Sequence, residues 1–97
     1  MNIEQVIIGS LITSPFLFKH SVKVIDENDF YEDKNKQLYS ILETMFSNSE
    51  AIDLVTVPVK VGKLGINPAD ICDYTNSIGS TDNFRTHLLK LKEISIR

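Results

Sequence analysis

Two histidines and one cysteine are the side chains of this sequence best suited to catalysis or metal binding. Zinc sites combine histidine and cysteine ligands at short, characteristic spacings. His20 and His87 are far apart, and neither has a histidine or cysteine at helical spacing, so the sequence does not support a zinc site. We expect both histidines to lie at the surface or at its boundary. The Cys72 thiol could act as a nucleophile, but its place on the apolar side of a predicted helix favours buried packing.

The acidic segment 26–33 is the next candidate, because closely spaced carboxylates can bind calcium. A calcium loop beginning at Asp26 would place Phe30 at its fifth position and Tyr31 at its sixth, where a ligand and a glycine are required. The four glycines of the chain are scattered and form no phosphate-binding loop. We therefore predict no catalytic, cofactor-binding or metal-binding residues, and we expect the acidic side chains to be solvated and to precede a helix.

Composition indicates one small domain. The chain has 97 residues, of which 42% are hydrophobic and 24% charged, and this suits a soluble domain with a modest core. A single cysteine excludes an internal disulfide and fits a reducing cytoplasm. The N-terminus does not resemble a secretion signal, and no run of about 18 apolar residues occurs, so we expect a cytoplasmic protein without a membrane span.

The charge distribution argues against a dedicated DNA-binding domain. The net charge is −3, whereas binding to phosphates requires clustered lysine and arginine. Residues 1–53 carry nine acidic and four basic residues, and residues 54–97 carry four acidic and six basic residues. This asymmetry indicates either ordinary solvated faces or weak electrostatic steering of a partner. The three tyrosines are not interleaved with basic residues, so no stacking platform for single-stranded nucleic acid is evident.

Helical periodicity dominates the sequence. We predict a first helix from about Ile3 to Thr13, with an apolar face so broad that neighbouring helices should nearly surround it. Gly9 lies inside this helix at a cost of about 1 kcal/mol relative to alanine, which a close helix–helix approach would explain. The second helix is predicted from Pro15 to about Val24, and the third from about Asp33 to Ser47. The third helix has an inner face of Leu38, Ile41, Leu42, Met45 and Phe46.

Two more helices follow in the second half of the chain. One is predicted from Pro68 to about Ser77, and the other from Asp82 to about Ile96. Gly79 suits a left-handed cap after the first of them. The inner face of that helix is predicted to consist of Ile71, Cys72, Thr75 and Ile78.

The segment between these halves is ambiguous. Val55, Val57, Val59 and Val61 alternate, which is typical of a strand, and local propensity favours that interpretation. Pro58 would restrict such a strand to a sheet edge. As a helix, the segment would start at Asp53 or Thr56 and would hold Pro58 in or near its first turn.

The order of short motifs resembles the N-terminal domain of DnaB-type replicative DNA helicases of bacteria or phages. The segment 4–12 (EQVIIGSLI) is similar to the opening E-x-x-V-L-G-x-L-L of that family, and 29–31 is its D-F-Y. The segment 52–57 (IDLVTV) matches the family residue for residue. Weaker similarities complete the order at 38–42 (LYSIL), 64–65 (LG), 73–77 (DYTNS) and 83–87 (NFRTH).

This resemblance implies an all-α fold, a compact bundle of about six short helices in which the valine segment is the fourth. Residues 1–97 would be the helicase head domain, a fragment that a helical hairpin, a linker and a RecA-like ATPase domain would follow. The fragment itself would be non-catalytic and without cofactors. The full-length protein would be an ATP-dependent helicase that binds DNA, ATP and magnesium.

The resemblance also implies function through protein contacts. Head domains of the family form the collar of the hexamer and dock primase and, in some lineages, a loader or initiator. We expect neither direct DNA binding nor membrane contact from this domain, a monomer or weak homodimer in isolation, and a cytoplasmic location in the nucleoid-associated replisome. The predicted core faces do not obviously use Phe16, Phe18 and Tyr39, which makes these residues candidates for a partner interface. The alternative is that they complete the core.

Two other hypotheses remain open at this point. The chain could be a stand-alone helicase-binding adaptor, or a module like the C-terminal domain of bacterial primase, whose fold resembles this head. An end of the native protein at Arg97 would favour the adaptor, and a downstream Walker A motif would favour the helicase. A helix-turn-helix DNA-binding protein is the third hypothesis, but the last predicted helix lacks the strongly basic face that a recognition helix needs.

Overall fold

Six α-helices and two single 3₁₀ turns make up the computed structural model, which describes residues 2–96. No strand occurs in this part of the chain, so the predicted all-α class is confirmed. No helix within residues 2–96 combines the length and apolar character needed to cross a lipid bilayer. The α-helices are α1 (Ile3–Thr13), α2 (Phe18–Ser21), α3 (Asp33–Ser47), α4 (Thr56–Gly62), α5 (Pro68–Asn76) and α6 (Phe84–Ser95). The 3₁₀ turns are Pro15–Leu17 and Glu27–Asp29.

The first helix is the centre of the bundle, as its broad apolar face predicts. The Asn2 side chain accepts a hydrogen bond from the Glu4 backbone N–H at 2.7 Å and so caps α1. From Ile7 to Ile12 every residue of α1 is buried, because α3, α5 and α6 pack around it. A Cβ added to Gly9 would lie 2.8 Å from the carbonyl carbon of Tyr74 and closer still to its oxygen. The predicted close approach at Gly9 is therefore confirmed, and its partner is α5.

The third helix has the predicted bounds but a slightly rotated inner face. Its buried residues are Asn35, Leu38, Tyr39, Leu42 and Met45. Ile41 and Phe46, which periodicity placed inside, are only partly buried at the edge of the core. The buried face of α3 is therefore shifted from the predicted face toward Asn35 and Tyr39 and away from Ile41 and Phe46.

The valine segment is helical, as the resemblance implied and local propensity did not. Asp53 Oδ1 accepts hydrogen bonds from the backbone N–H groups of Val55 and Thr56, both at 2.8 Å, and this turn starts α4. Pro58 is the third residue of α4, where a backbone N–H has no intrahelical acceptor, so proline costs little there. The helix divides the alternating valines into two pairs. Val57 and Val61 are fully buried, whereas Val59 lies on the solvent side.

The remaining helix bounds differ from the prediction in small ways. The predicted second helix shortens to a 3₁₀ turn followed by α2, which ends at Ser21. The last helix starts at Phe84 rather than Asp82, because residues 80–83 form a turn in which Ser80 Oγ accepts from the Asp82 N–H. Gly79 does not adopt the predicted left-handed conformation; Gly65 does, with φ +79°, in the turn that follows α4.

Candidate protein-interaction surface

The side chains best suited to chemistry do not converge. No group of three histidine, cysteine or acidic residues within residues 2–96 could hold a metal ion. His20 is exposed and His87 is half-buried, as predicted for surface or boundary residues. The prediction for Cys72 is wrong: its side chain is exposed, because the inner face of α5 is formed by Ile71 and Tyr74 instead.

Glu4 at the start of α1 organises the N-terminal end of α3. Its carboxylate is buried and accepts hydrogen bonds from the Tyr31 backbone N–H at 2.6 Å and from Asn35 Nδ2 at 2.9 Å. Asn35 Oδ1 in turn accepts from the Tyr74 hydroxyl at 2.8 Å. These bonds fix the chain just before α3 and the first turn of that helix, which has no local side-chain cap. The network therefore ties α1, α3 and α5 together.

Asp29 fixes the C-terminal end of α6. Its carboxylate accepts hydrogen bonds from the Asp26 backbone N–H and from Ser95 Oγ, and it forms an ion pair with Lys92 at 3.2 Å. Burial by itself raises the pKa of Asp29, but the hydrogen bonds from Ser95 and Asp26 and the Lys92 ammonium together lower it below its ordinary value of 3.8. Asp29 of the acidic segment thus joins the loop before α3 to the C-terminal end of α6.

The predicted interface residues do not form one surface. Phe18 and Tyr39 are fully buried, so for these two candidates the alternative holds and they complete the core. The ring centroids of Phe18 and Tyr39 lie 5.6 Å apart, and the Tyr39 hydroxyl is 2.6 Å from Ser21 Oγ. Burial raises the pKa of Tyr39 to about 12, despite the hydrogen bond with Ser21. Only Phe16 stays on the surface, where it is 61% exposed, and its role in a partner contact stays a prediction.

An open surface with exposed aliphatic side chains lies between α3 and α4. Three open depressions of about 370, 370 and 480 Å³ lie in succession along it, and each shares at least one lining residue with the next; together we call them the α3–α4 groove. The wall from α3 consists of Lys36, Gln37, Ser40, Ile41, Thr44 and Met45. The wall from α4 and the residues next to it consists of Val55, Thr56, Val59, Lys60, Lys63 and Leu64.

Aliphatic side chains are the main exposed feature of the α4 wall. Val55 is 75% exposed, Val59 is 66% exposed and Leu64 is 54% exposed. Isolated apolar residues are common on protein surfaces, but several exposed aliphatic side chains along one groove are typical of an interaction site. These three residues were not among those predicted from the sequence. The signal was present in the valine alternation, because a helix with buried Val57 and Val61 turns Val55 and Val59 outward.

The groove also carries a concentration of lysines at its centre. The middle depression is lined by Lys60 and Lys63 and by no acidic residue. Lys60 forms an ion pair with Glu50 at 2.8 Å, whereas Lys63 has no ion-pair partner among residues 2–96. The acidic side chains Glu27 and Glu50 line only the outer depressions at the two ends. A basic centre is therefore available to an acidic ligand.

Comparison with protein families gives a match that spans almost the whole chain. The family model described as the DnaB-like helicase N terminal domain matches residues 1–93. Comparison with curated proteins and with solved structures found no match. The six-helix fold, with helices at the positions that the motifs implied, agrees with the family match. The chain therefore belongs to the DnaB-like helicase N-terminal domain family, the non-catalytic part of these replicative DNA helicases.

Proposed function

We propose that this domain is a docking module of a replicative DNA helicase, which joins neighbouring subunits in the collar of the hexamer and docks primase or a helicase loader. The family supports the helicase assignment. The single observation that supports docking is the exposed aliphatic row of Val55, Val59 and Leu64 beside the α3–α4 groove. ATP and magnesium would act in another domain of the full-length protein, where unwinding is powered.

Exposed apolar surface is unfavourable in water and becomes favourable when a partner covers it. Each of the three aliphatic side chains keeps about half or more of its surface in water. Burying such surface releases roughly 25 cal/mol per Å², so a partner that covers the row gains affinity from it. Protein interfaces combine an apolar centre with a polar rim, and the groove has this arrangement, with lysines and short polar residues beside the aliphatic row. Phe16, on α1's neighbouring 3₁₀ turn, is a second candidate contact.

The experiment uses the full-length protein that carries this domain and the C-terminal domain of the cognate primase. Isothermal titration calorimetry should show binding, and Val59→Ser should weaken it because Val59 is exposed beside the groove; Phe16→Ser tests the second candidate contact in the same way. Leu89→Ser is the matched control, because Leu89 is an exposed aliphatic residue on α6, away from the groove. Absence of binding by the full-length protein would overturn the primase role. Native mass spectrometry of the same sample tests the hexamer.

A further inference from the structure

The α3–α4 groove runs between two walls, of which the α3 wall is helical over its whole length and the α4 wall from Thr56 to Gly62. Its two walls have the same spacing, since each uses pairs of adjacent residues repeated every four positions over ten residues of chain. Ten helical residues extend about 14 Å, which is nearly three turns. An amphipathic helix placed between such walls presents an anchor every three or four residues, and this repeat fits the repeat of the walls.

From this geometry we infer that the groove binds a short amphipathic helix of a partner protein, with aliphatic anchors and acidic side chains at its middle. The inference rests on the proposed docking function and specifies the chemistry of one partner. The anchors would pack on Val55 and Val59 on one wall and on the partly buried Ile41 on the other. Leu64 extends the apolar contact at the end of the groove that lies near Lys36.

The charges select an acidic helix over a neutral or basic one. Lys60 and Lys63 line the middle of the groove and Lys36 follows along the α3 wall; Lys60 is already paired with Glu50, so Lys63 and Lys36 are the charges that a partner would meet. Carboxylates on the partner would pair with Lys63, whose charge is not used in an ion pair within the described residues. Such rim charges contribute mainly to specificity and to the association rate.

A second copy of the chain is a poorer occupant. Another helix with exposed aliphatic side chains is α6, where Leu89 and Ile94 are about half exposed. α6 carries Arg85, Lys90 and Lys92 against one acid, Glu93, which pairs with Lys90, so its net charge is positive and does not complement the lysines of the groove. Nucleic acid also fits poorly, because aliphatic walls offer no aromatic surface for stacking bases.

The test is a titration of the ¹⁵N-labelled 97-residue chain, followed by ¹H–¹⁵N NMR spectroscopy, with a stapled helical peptide. The peptide has about 15 residues, with leucines at positions i, i+4, i+7 and i+11 and glutamates flanking them. Amide shifts should concentrate in α3 and α4. A second peptide with glutamine in place of every glutamate should bind more weakly, on the order of tenfold.

Two variants and two matched controls locate the contact. Val59→Ser and Lys63→Glu should each reduce the affinity several-fold, and because both residues are on the surface, the fold should be unaffected. Leu89→Ser and Lys90→Glu make the same changes on α6 and should leave the affinity unchanged. Equal binding of the glutamine peptide, shifts centred outside α3 and α4, or equal effects of the control variants would overturn the inference. Self-association that Val59→Ser abolishes in sedimentation would assign the groove to a second copy and overturn it too.

The outcome is separable from that of the proposed function. If the full-length protein binds primase while the acidic peptide does not bind the groove, the inference fails and the docking function stands. If the peptide binds the groove as expected and primase does not bind the full-length protein, the primase role fails and the groove inference stands.

Discussion

Glu4 is the residue whose replacement tests the packing of this fold most directly. Its two carboxylate oxygens accept from donors on a different segment, with Oε2 bonded to the Tyr31 N–H at 2.6 Å and Oε1 to Asn35 Nδ2 at 2.9 Å. The Glu32 N–H approaches Oε1 at 3.4 Å. Glutamine keeps the size of the side chain but has only one oxygen. In the Glu4→Gln variant, therefore, either the Tyr31 N–H or the Asn35 amide faces an NH₂ group instead of an acceptor.

The expected cost follows from the bond that is lost. A hydrogen bond to a charged group contributes about 1.5–3 kcal/mol, and a carboxylate near a helix N-terminus adds about 0.3–1 kcal/mol through the helix dipole. Burying a neutral amide costs less than burying a carboxylate, which offsets part of this loss. We expect Glu4→Gln to lower the free energy of unfolding by about 2–3 kcal/mol, which is roughly 10 °C or more in Tm for a domain of this size.

Equilibrium unfolding in urea, followed by circular dichroism and by tyrosine fluorescence, measures this cost, since the chain has no tryptophan. Glu32→Gln is the matched control: Glu32 is at the N-cap of α3 but makes no side-chain capping bond, so its replacement should cost less than about 1 kcal/mol. Hydrogen exchange should also show lower protection of the Tyr31 amide in Glu4→Gln. Equal losses of stability in the two variants, with unchanged protection at Tyr31, would refute the role assigned to Glu4.

Two further predictions concern a close approach and a carboxylate. Gly9→Ala should destabilise the domain by roughly 1–3 kcal/mol in thermal unfolding, because its Cβ would collide with the Tyr74 backbone. Gly62→Ala, whose Cβ would meet nothing within 4 Å, should instead stabilise by up to about 1 kcal/mol, and equal responses would contradict the packing described at Gly9. Because the folded-state pKa of Asp29 lies below 3.8, its contribution to stability is present above about pH 4 and is lost as the pH falls through that lowered pKa. Asp29→Asn should therefore cost about 1–3 kcal/mol at neutral pH, and urea unfolding at decreasing pH should show the difference from the unsubstituted protein shrinking in acid; a constant difference would be inconsistent with this role.

Long helices with strong periodicity were predictable from the sequence. Both α1 and α3 have the predicted bounds, because their apolar residues repeat over three or four turns. The close approach at Gly9 was also predictable, because a glycine inside a helix needs a packing reason. The short α2 was not, since a helix of four residues is determined by its neighbours rather than by its own pattern.

Errors in the predicted site arose where periodicity resolves a face only coarsely. One helical position corresponds to a rotation of about 100°, so Tyr39 and Cys72 at the margins of their stripes could fall on either side. The structure buries Tyr39 and exposes Cys72 because the neighbouring rings and α1 occupy one side of each helix. The hydrogen bonds of Glu4 with Asn35 could not be predicted, since they join residues of different helices and leave no local pattern.

The valine segment shows where tertiary packing overrides propensity. Alternating β-branched residues favour a strand, yet the Asp53 cap and the core contacts of Val57 and Val61 hold a helix. Only the resemblance to a family identified this helix before the structure did. Which valines are exposed in the α3–α4 groove depends on this segment being helical. Local propensity, which favours a strand, therefore could not predict them.

The two pairs of valines in α4 and at its N-cap also bear on how this domain can change over evolutionary time. Positions 57 and 61 are constrained by core packing, where a change of one methyl group affects stability. Positions 55 and 59 are exposed and are constrained only by binding partners. Selection for partner binding and selection for stable folding therefore act on alternate positions of one short segment. In a lineage that changes its partner, we expect substitutions at the exposed positions 55 and 59 while the buried positions 57 and 61 keep their residues. Neighbouring positions of this segment should then diverge at different rates.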